Sequence, residues 1–443
     1  MTSTMPVLLI VDYNLSRVAD VLHLRNHARQ RWNAHTYLIR ANPQPLDFTL
    51  ADRVFDADPL DPEFVEKALW SMGSAVDGIT AGLVFSDNAV SSGAALLERL
   101  GVKVDDARLA LGAFNKYTYR LSEEVHRTRL ESLKVMVPDF VAVRGLDDLR
   151  AFAARHPEGF VIKPMCEGNN RGVVLVSRGG DPVAAFDEVQ PYVPAGVIAE
   201  QIIPLRREFS YDGLGQLAFI TEKVSAKGRY PVELAQVLPA QLSPLERETL
   251  LRAGEQVNRL IGQRDGPFHN EIKLSDDGTH AGVVEPNRRP GGMKIWELAR
   301  WVYGVDLYQT WVDSVFGVPV PDRMPAPQCS AATVMLGVSR DRYFETGHDD
   351  RDRPLFEQAL AATARAHGLT PQELIAHDVT WLPVGGRTLH ATPRDNGDFV
   401  AQACITLHTP GVDIRHVVST LQRHWLTAFD RIADRSTHQR LAS

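Results

Sequence analysis

A chain of 443 residues with 44% hydrophobic and 23% charged residues has the make-up of a folded globular protein with room for two or three domains. Its formal net charge of -7 gives no general electrostatic reason to bind nucleic acid or an anionic membrane, so a small-molecule partner is expected. Cys166, Cys329 and Cys404 lie far apart, with no CxxC pair and no His/Cys cluster at zinc spacing, which points to a reducing, cytoplasmic setting.

Val7 to Val11 is a continuous apolar run of the kind that forms a buried parallel strand. It is too short for a membrane span and lacks the basic leader of a signal peptide. Gly82 to Phe85 reads as a second such strand, ahead of an Ala-rich helix near Ser91 to Leu100. Residues 1–105 are therefore expected to form an α/β domain. A polar helix around Lys116 to Leu130 opens a smaller α+β module, 106–200, which closes on the strand-like Val197 to Glu200. Ser243-Pro244-Leu245-Glu246 is a capping box with proline at the first helical position, so a helix should run toward Leu260 within a third unit, 201–327. Apolar residues at helical spacing from Trp296 to Phe316 predict further helix, and the Pro-rich Val318 to Pro327 reads as a connector. The last region, 328–443, alternates strand and helix: strands near 332–338, 379–382 and 399–407, helices near 355–366 and after Asp413. A second capping box is expected at Thr370-Pro371-Gln372-Glu373.

Three segments carry residues suited to chemistry. Gly159 to Val176 reads as a hairpin whose long tip, Met165 to Gly172, can point backbone N–H groups at phosphates while Lys163 supplies charge from the strand. Cys166 in that tip is read as a small filler. The chain then leaves the strand ending at Glu200-Gln201-Ile202-Ile203, where exposed backbone groups suit a purine edge, and Glu208 beyond it is an acceptor suited to ribose hydroxyls. Third, His269 to Leu274 and Ala281 to Glu285 form a hairpin across Ser275 to Gly278 that sets Glu271 beside Glu285, with Asn287 two residues further along the same strand face. Two carboxylates and an amide are a sparse set of hard oxygen donors that suits magnesium shared with substrate phosphates. Arg289 extends that face and is suited to a carboxylate substrate or a developing oxyanion. Trp296 and Tyr211 are read as packing residues.

Taken in order, these segments resemble the ATP-grasp superfamily of carboxylate-amine ligases over residues 1 to about 320. The motifs FHNEIK at 268–273, EPNRRPGG at 285–292 and LPA at 238–240 look most like its L-amino acid ligases, which make dipeptides or related amides. The resemblance implies an ATP-grasp fold: an N-terminal α/β domain, a central ATP-binding module, a metal-bearing module and a C-terminal α/β region. It implies ATP as bound nucleotide with Mg²⁺, or Mn²⁺ in its place, on Glu271, Glu285 and Asn287. Lys116 and Lys163, with Gly168 and Gly172, would face the phosphates. Glu200, Gln201 and Ile203 would form the adenine hinge. Lys223 matches a nucleotide-contacting lysine, His269 a position close to the transferred phosphate, and Arg289 the arginine at substrate or intermediate. The implied reaction joins a small-molecule carboxylate to an amine through an acylphosphate, with release of ADP and phosphate. Other branches would use bicarbonate, a thiol or a protein tail as acceptor, or retain the fold as a non-catalytic nucleotide-binding regulator. A homodimer is compatible with the resemblance.

Overall fold

The computed structural model describes residues 5–168, 171–226, 230, 232–345 and 353–441, with side chains followed to Phe429. Near the N-terminus four strands pair in parallel, in the order Arg53–Asp56, His35–Arg40, Val7–Val11, Ile79–Val84. Successive residues of Val7–Val11 enter opposite layers, because side chains alternate across a strand. Leu8 and Ile10 meet helix Val18–Trp32, whereas Val7, Leu9 and Val11 share a core with residues of helices Phe64–Met72 and Val90–Arg99. Burial on both faces is why this strand reads as an unbroken apolar run.

Strands Phe140–Val143, Val197–Gln201, Gly159–Pro164 and Val174–Ser177 form a small antiparallel sheet in that order. Helices Leu146–Arg155 and Pro182–Val189 cover it with a core of their own. The polar segment before it forms two helices, Lys116–Val125 and Arg127–Ser132, which bury Tyr119 and Leu130 in a different core, with Phe209 and Phe268.

Among the described residues the largest sheet has nine strands. Their order is Leu374–Trp381, Ala401–Leu407, Ser330–Leu336, Glu233–Leu238, Leu217–Ser225, Arg207–Leu214, Pro267–Leu274, Ala281–Glu285 and Val135–Met136. The strands after the Pro-rich connector thus continue this sheet, since Glu233–Leu238 pairs antiparallel with Ser330–Leu336. In its centre one face is apolar: Phe209, Tyr211, Phe268, Ile272 and Leu274 pack on Leu250, Ala253 and Val257 of helix Pro244–Leu260. That helix starts at Ser243 with both capping-box hydrogen bonds formed. The intervening positions are polar and carry the candidate site on the other face.

Two local expectations are corrected. The segment 296–316 is two helices, Ile295–Tyr303 and Leu307–Val315, because Gly304 takes a left-handed conformation (φ 69°) that ends the first. The Thr370–Glu373 box makes its side-chain contacts, with Thr370 donating to Glu373 through its backbone N–H at 2.8 Å and its hydroxyl at 2.8 Å, yet no helix follows. Strand Leu374–Trp381 begins there and pairs with Ala401–Leu407, so sheet pairing overrides the local signal.

The helix pair locks the N-terminal domain to the large sheet. Trp296 is buried against Tyr308 (ring centroids 4.8 Å apart) and Trp311 (5.9 Å), in the core that also holds Val21 and Leu24. Trp296→Ala is expected to lower the unfolding free energy by about 3–5 kcal/mol, read from the urea midpoint at unchanged m-value.

Candidate active site on the polar face of the large sheet

Register builds the site. Ser210 opposes Glu271 and Asp212 opposes His269 between Arg207–Leu214 and Pro267–Leu274, while Glu208 opposes Lys223 on the other neighbour. Across the hairpin Glu271 pairs with Glu285, and the ladder slips by one residue immediately after that pair. The irregularity sits where the two carboxylates meet, a common place for a bulge to re-aim side chains.

Two like charges side by side need cations, and each carboxylate has them. Lys223 Nζ lies 2.6 Å from Glu271 Oε1 and 2.6 Å from Glu233 Oε1. Lys116 Nζ lies 3.0 Å from Glu285 Oε2 and donates to the Glu167 carbonyl at 2.7 Å. Burial favours the neutral forms of Lys223 and Glu271, but the ion pairs prevail: the lysine is held above its ordinary range and the carboxyl well below its own. These contacts fall on one oxygen of each carboxylate. Asn287 is buried, and its amide nitrogen donates to the His269 carbonyl at 3.1 Å, which orients its oxygen away from that strand. Two carboxylates and an oriented amide oxygen, backed by ammonium groups, are a donor set that fits a hard divalent cation.

His269 is clamped by Asp212, with Nδ1 2.6 Å from Oδ1, and its Nε2 lies 3.6 Å from Glu271 Oε1. Asp212 is completely buried and accepts the hydroxyls of Ser210 (2.5 Å) and Thr221 (2.8 Å) on its other oxygen. Burial alone would discharge the imidazole. The Asp212 carboxylate outweighs it and pushes the His269 pKa up to about 9. A Cβ at Gly291 would come within 2.9 Å of His269 Nδ1, so this glycine lets the loop lie directly on the pair.

Lys163 and Glu200 meet under the small sheet at 2.8 Å, and Arg120 holds the same carboxylate from Nε at 3.1 Å. Burial raises the Glu200 pKa, but these two cations bring it down to about 2. The Lys163 pKa is also lowered, below the ordinary lysine range, chiefly by burial, which disfavours its charged form. Arg120 also binds Glu123 at 2.5 Å and the Val283 carbonyl at 2.9 Å, tying its helix to the metal-type hairpin.

The remaining predicted residues separate into those joined to this cluster and those beside it. Arg289 pairs through Nε with Asp87 at 2.6 Å, just beyond strand Ile79–Val84. Glu208 lies 3.1 Å from Lys273 Nζ and accepts the Ser225 hydroxyl. Gln201 points instead to Asp139, whose N–H it accepts at 3.3 Å, and Ile203 is buried against Gly282. Gly172 has a positive φ of 68° and would clash with Tyr192 and Pro164 if it carried a Cβ, whereas Gly168 faces open space. Asn169 and Asn170 lie outside the described residues. Cys166 is half-buried, and burial raises its thiol pKa, in keeping with a filler. Tyr211 and Trp296 are packing residues, Tyr211 stacking on Phe268 at 4.8 Å. Asp212, Asp87 and Glu233 were not singled out from the sequence. Asp212 alternates with Ser210 along a strand, but its partner lies 57 residues away. Arg17 was missed as well. It donates to the carbonyls of Pro290, at 3.1 Å, and Gly291, gripping the loop after Arg289 from the N-terminal domain.

The parallel N-terminal sheet, the small antiparallel sheet and the nine-stranded sheet with its paired-carboxylate hairpin give the chain the ATP-grasp fold. The solved L-amino acid ligase from Bacillus licheniformis shares that fold with a TM-score of 0.69 at 17% identity, covering 96% of this chain and 98% of that one. An N5-carboxyaminoimidazole ribonucleotide synthetase solved with ADP aligns with a TM-score of 0.63 at 12% identity, covering 97% and 98%. In sequence, 106 residues are 38% identical to carnosine synthase 1 of Gallus gallus, which is 24% of this chain and 11% of that protein. A stretch of 208 residues is 26% identical to the D-alanine–D-alanine ligase of Dinoroseobacter shibae, covering 41% of this chain and 65% of that enzyme. The chain therefore spans about a tenth and just under two thirds of the curated relatives it matches. No family model matches it. Among the described residues no helix is long and apolar enough to cross a membrane.

The His269 pKa carries a sign that can be checked. A histidine whose folded pKa lies near 9, above the unfolded value of about 6.5, adds stability that is complete below the unfolded pKa and is lost as pH rises through the folded one. Asp212→Asn removes the carboxylate, so the metal-free variant is expected to titrate His269 well below 9 in imidazole NMR and to lose the stability decline between pH 6.5 and 9.

Proposed function

We propose that this protein is an ATP-dependent ligase that joins a carboxylate to an amine, with amino acids as the substrate class. The observation that carries the reading is the opposed pair Glu271 and Glu285, each held by its own lysine, on the sheet face that also presents His269, with Arg289 one turn of chain beyond. Three of the similar proteins, by their names, act on amino acids or make carnosine: the L-amino acid ligase, the D-alanine–D-alanine ligase and carnosine synthase.

Glu271, Glu285 and Asn287 would hold Mg²⁺ or Mn²⁺, which when bound offsets phosphate charge. The chain's own cations do comparable work. Lys116 bridges the tip residue Glu167 and Glu285, joining the small sheet's hairpin to the paired carboxylates, and Lys163 stands on Glu200 in the small sheet. Protonated His269 places a positive group beside Glu271, suited to a phosphoryl group bearing negative charge. In the reaction a substrate carboxylate oxygen attacks the γ-phosphorus of ATP, the bond to the bridging oxygen breaks, and ADP leaves. The amine then attacks the acyl carbon, phosphate departs, and the amine proton is lost. Arg289 is suited to the oxyanion formed at that carbon. Its guanidinium must be oriented to act, and Asp87 supplies the orientation.

The fold shared with N5-carboxyaminoimidazole ribonucleotide synthetase supports a second reading in which the acceptor is of another kind, bicarbonate included. Product identity separates the two. Phosphate release from Mg²⁺-ATP across a matrix of paired amino acids, followed by mass spectrometry, is expected to find release that requires two substrates and gives an amide. Release that needs bicarbonate and no amino acid would replace this reading by the second.

Two variants test the residues. Glu285→Ala is expected to abolish amine-dependent ADP release while the circular dichroism spectrum and urea midpoint keep a folded protein in view. Arg289→Met is expected to reduce kcat by about 10²–10³-fold, with ATP binding retained in equilibrium dialysis. Unchanged turnover in either variant removes that residue from the mechanism.

A further inference from the structure

Arg288 and Arg289 are neighbours, yet they serve different spaces. Arg289 joins Asp87, whereas Arg288 is buried and donates through Nη1 to the carbonyls of Asp106 (2.7 Å) and Ile261 (3.2 Å). There it lines a small open cleft, about 60 Å³ inside its mouth, between the N-terminal domain and the large sheet. That is room for several waters, so any occupant must be short. Its wall is apolar and comes from both bodies: Leu83, Val84, Val90, Ala94 and Leu97 on one side, Trp311 on the other.

The charged side chains lining the cleft balance, Lys103 and Arg288 against Asp105 and Asp265, but the groups differ in how far they are already paired. Gln263 is 7% exposed, and its amide nitrogen is buried without a hydrogen-bond partner. An amide donor left unpaired in an apolar setting is costly unless a ligand or water meets it. Lys103 stands at the same cleft with its ammonium only loosely paired, 3.7 Å from Asp265. Against these donors stands Asp105, also lining the cleft, but its oxygens are already occupied. Oδ1 accepts the Asp265 N–H at 2.9 Å, and Oδ2 accepts those of Asp265 (3.1 Å) and Gly266 (2.8 Å). Asp265 also carries an ion pair with Arg264 at 3.1 Å.

We propose that this cleft is a second ligand site, separate from the one on the polar sheet face, and that it takes a short branched aliphatic carboxylate. The aliphatic tail matches the wall, and the carboxylate matches the unpaired Gln263 amide with the Arg288 and Lys103 cations. A zwitterionic amino acid fits worse, since its ammonium would need an acceptor and both carboxylates of the cleft, Asp105 and Asp265, are already paired. Because the wall is shared between the N-terminal domain and the sheet, an occupant fixes the position of one against the other.

Isothermal titration of the full chain with isovalerate, without ATP, tests the site independently of the ligase reading. Saturable binding at one site is expected, with leucine about tenfold weaker or more, and with Gln263→Leu weakened to a similar extent. Ala94→Phe should fill the wall and abolish binding, and Arg289→Met should leave it intact. The proposal is overturned by absence of saturable binding to the wild-type chain. It is equally overturned by leucine binding more tightly than isovalerate, by undiminished binding in folded Gln263→Leu, or by loss of binding in folded Arg289→Met, which would assign the ligand to the other site.

Discussion

Charge withdrawn from water must be matched, and the centre of this molecule is organised by that requirement. Glu200 lies between Arg120 and Lys163, Glu271 beside Lys223 and His269, Glu285 beside Lys116, and His269 on Asp212. Burial alone would favour the neutral forms of Glu200, Glu271, Lys163 and His269. Together they form a set of matched pairs that joins the small sheet, the helix from Lys116, the hairpin and the neighbouring strands Arg207–Leu214 and Leu217–Ser225. The arrangement fixes where those elements can sit, because moving any one strands a charge on its neighbour. It also keeps the face polar and charged without making the protein basic as a whole.

The same sheet explains why so much of this was legible in sequence. The Glu271–Glu285 opposition follows from two strands and a short turn, so local pattern was enough to foresee it. Helix Pro244–Leu260 follows from its box and proline, and Val7–Val11 from its apolar run. What stayed hidden depended on partners distant in the chain. Asp212 reads as an ordinary strand residue until the register with His269 is known. Asp87 lies 202 residues from Arg289, and only the docking of the N-terminal domain brings them together. The misread boundaries have the opposite cause: apolar periodicity ran across Gly304 because packing is continuous there although the backbone is not, and the Thr370 box is genuine chemistry at a turn into a strand.

The two ionised lysines nearest the hairpin are not equivalent. Lys223 has two carboxylates and lies deep among them, so it serves the frame as much as any ligand. Lys116 has one carboxylate and a carbonyl in the tip of the small sheet's hairpin. It therefore couples that tip to the hairpin of the paired carboxylates, so the two cannot move apart without breaking this contact. Lys163, whose burial favours its neutral form, depends on Glu200 to stay charged.

The loop from Pro290 to Lys294 has a further meaning. Two successive non-glycine residues, Met293 and Lys294, take positive φ values of 47° and 61°, which a free chain would rarely adopt. The loop is held from one end of the sequence by Arg17, on the Pro290 and Gly291 carbonyls, and from the other by Thr333, whose hydroxyl donates to the Met293 carbonyl at 2.5 Å. The backbone beside Arg289 is thus clasped by parts of the polypeptide made first and made late. During synthesis the clasp cannot close until Thr333 has emerged, so a chain cut short before that residue, although it carries every charged group of the centre, holds this loop from one side alone.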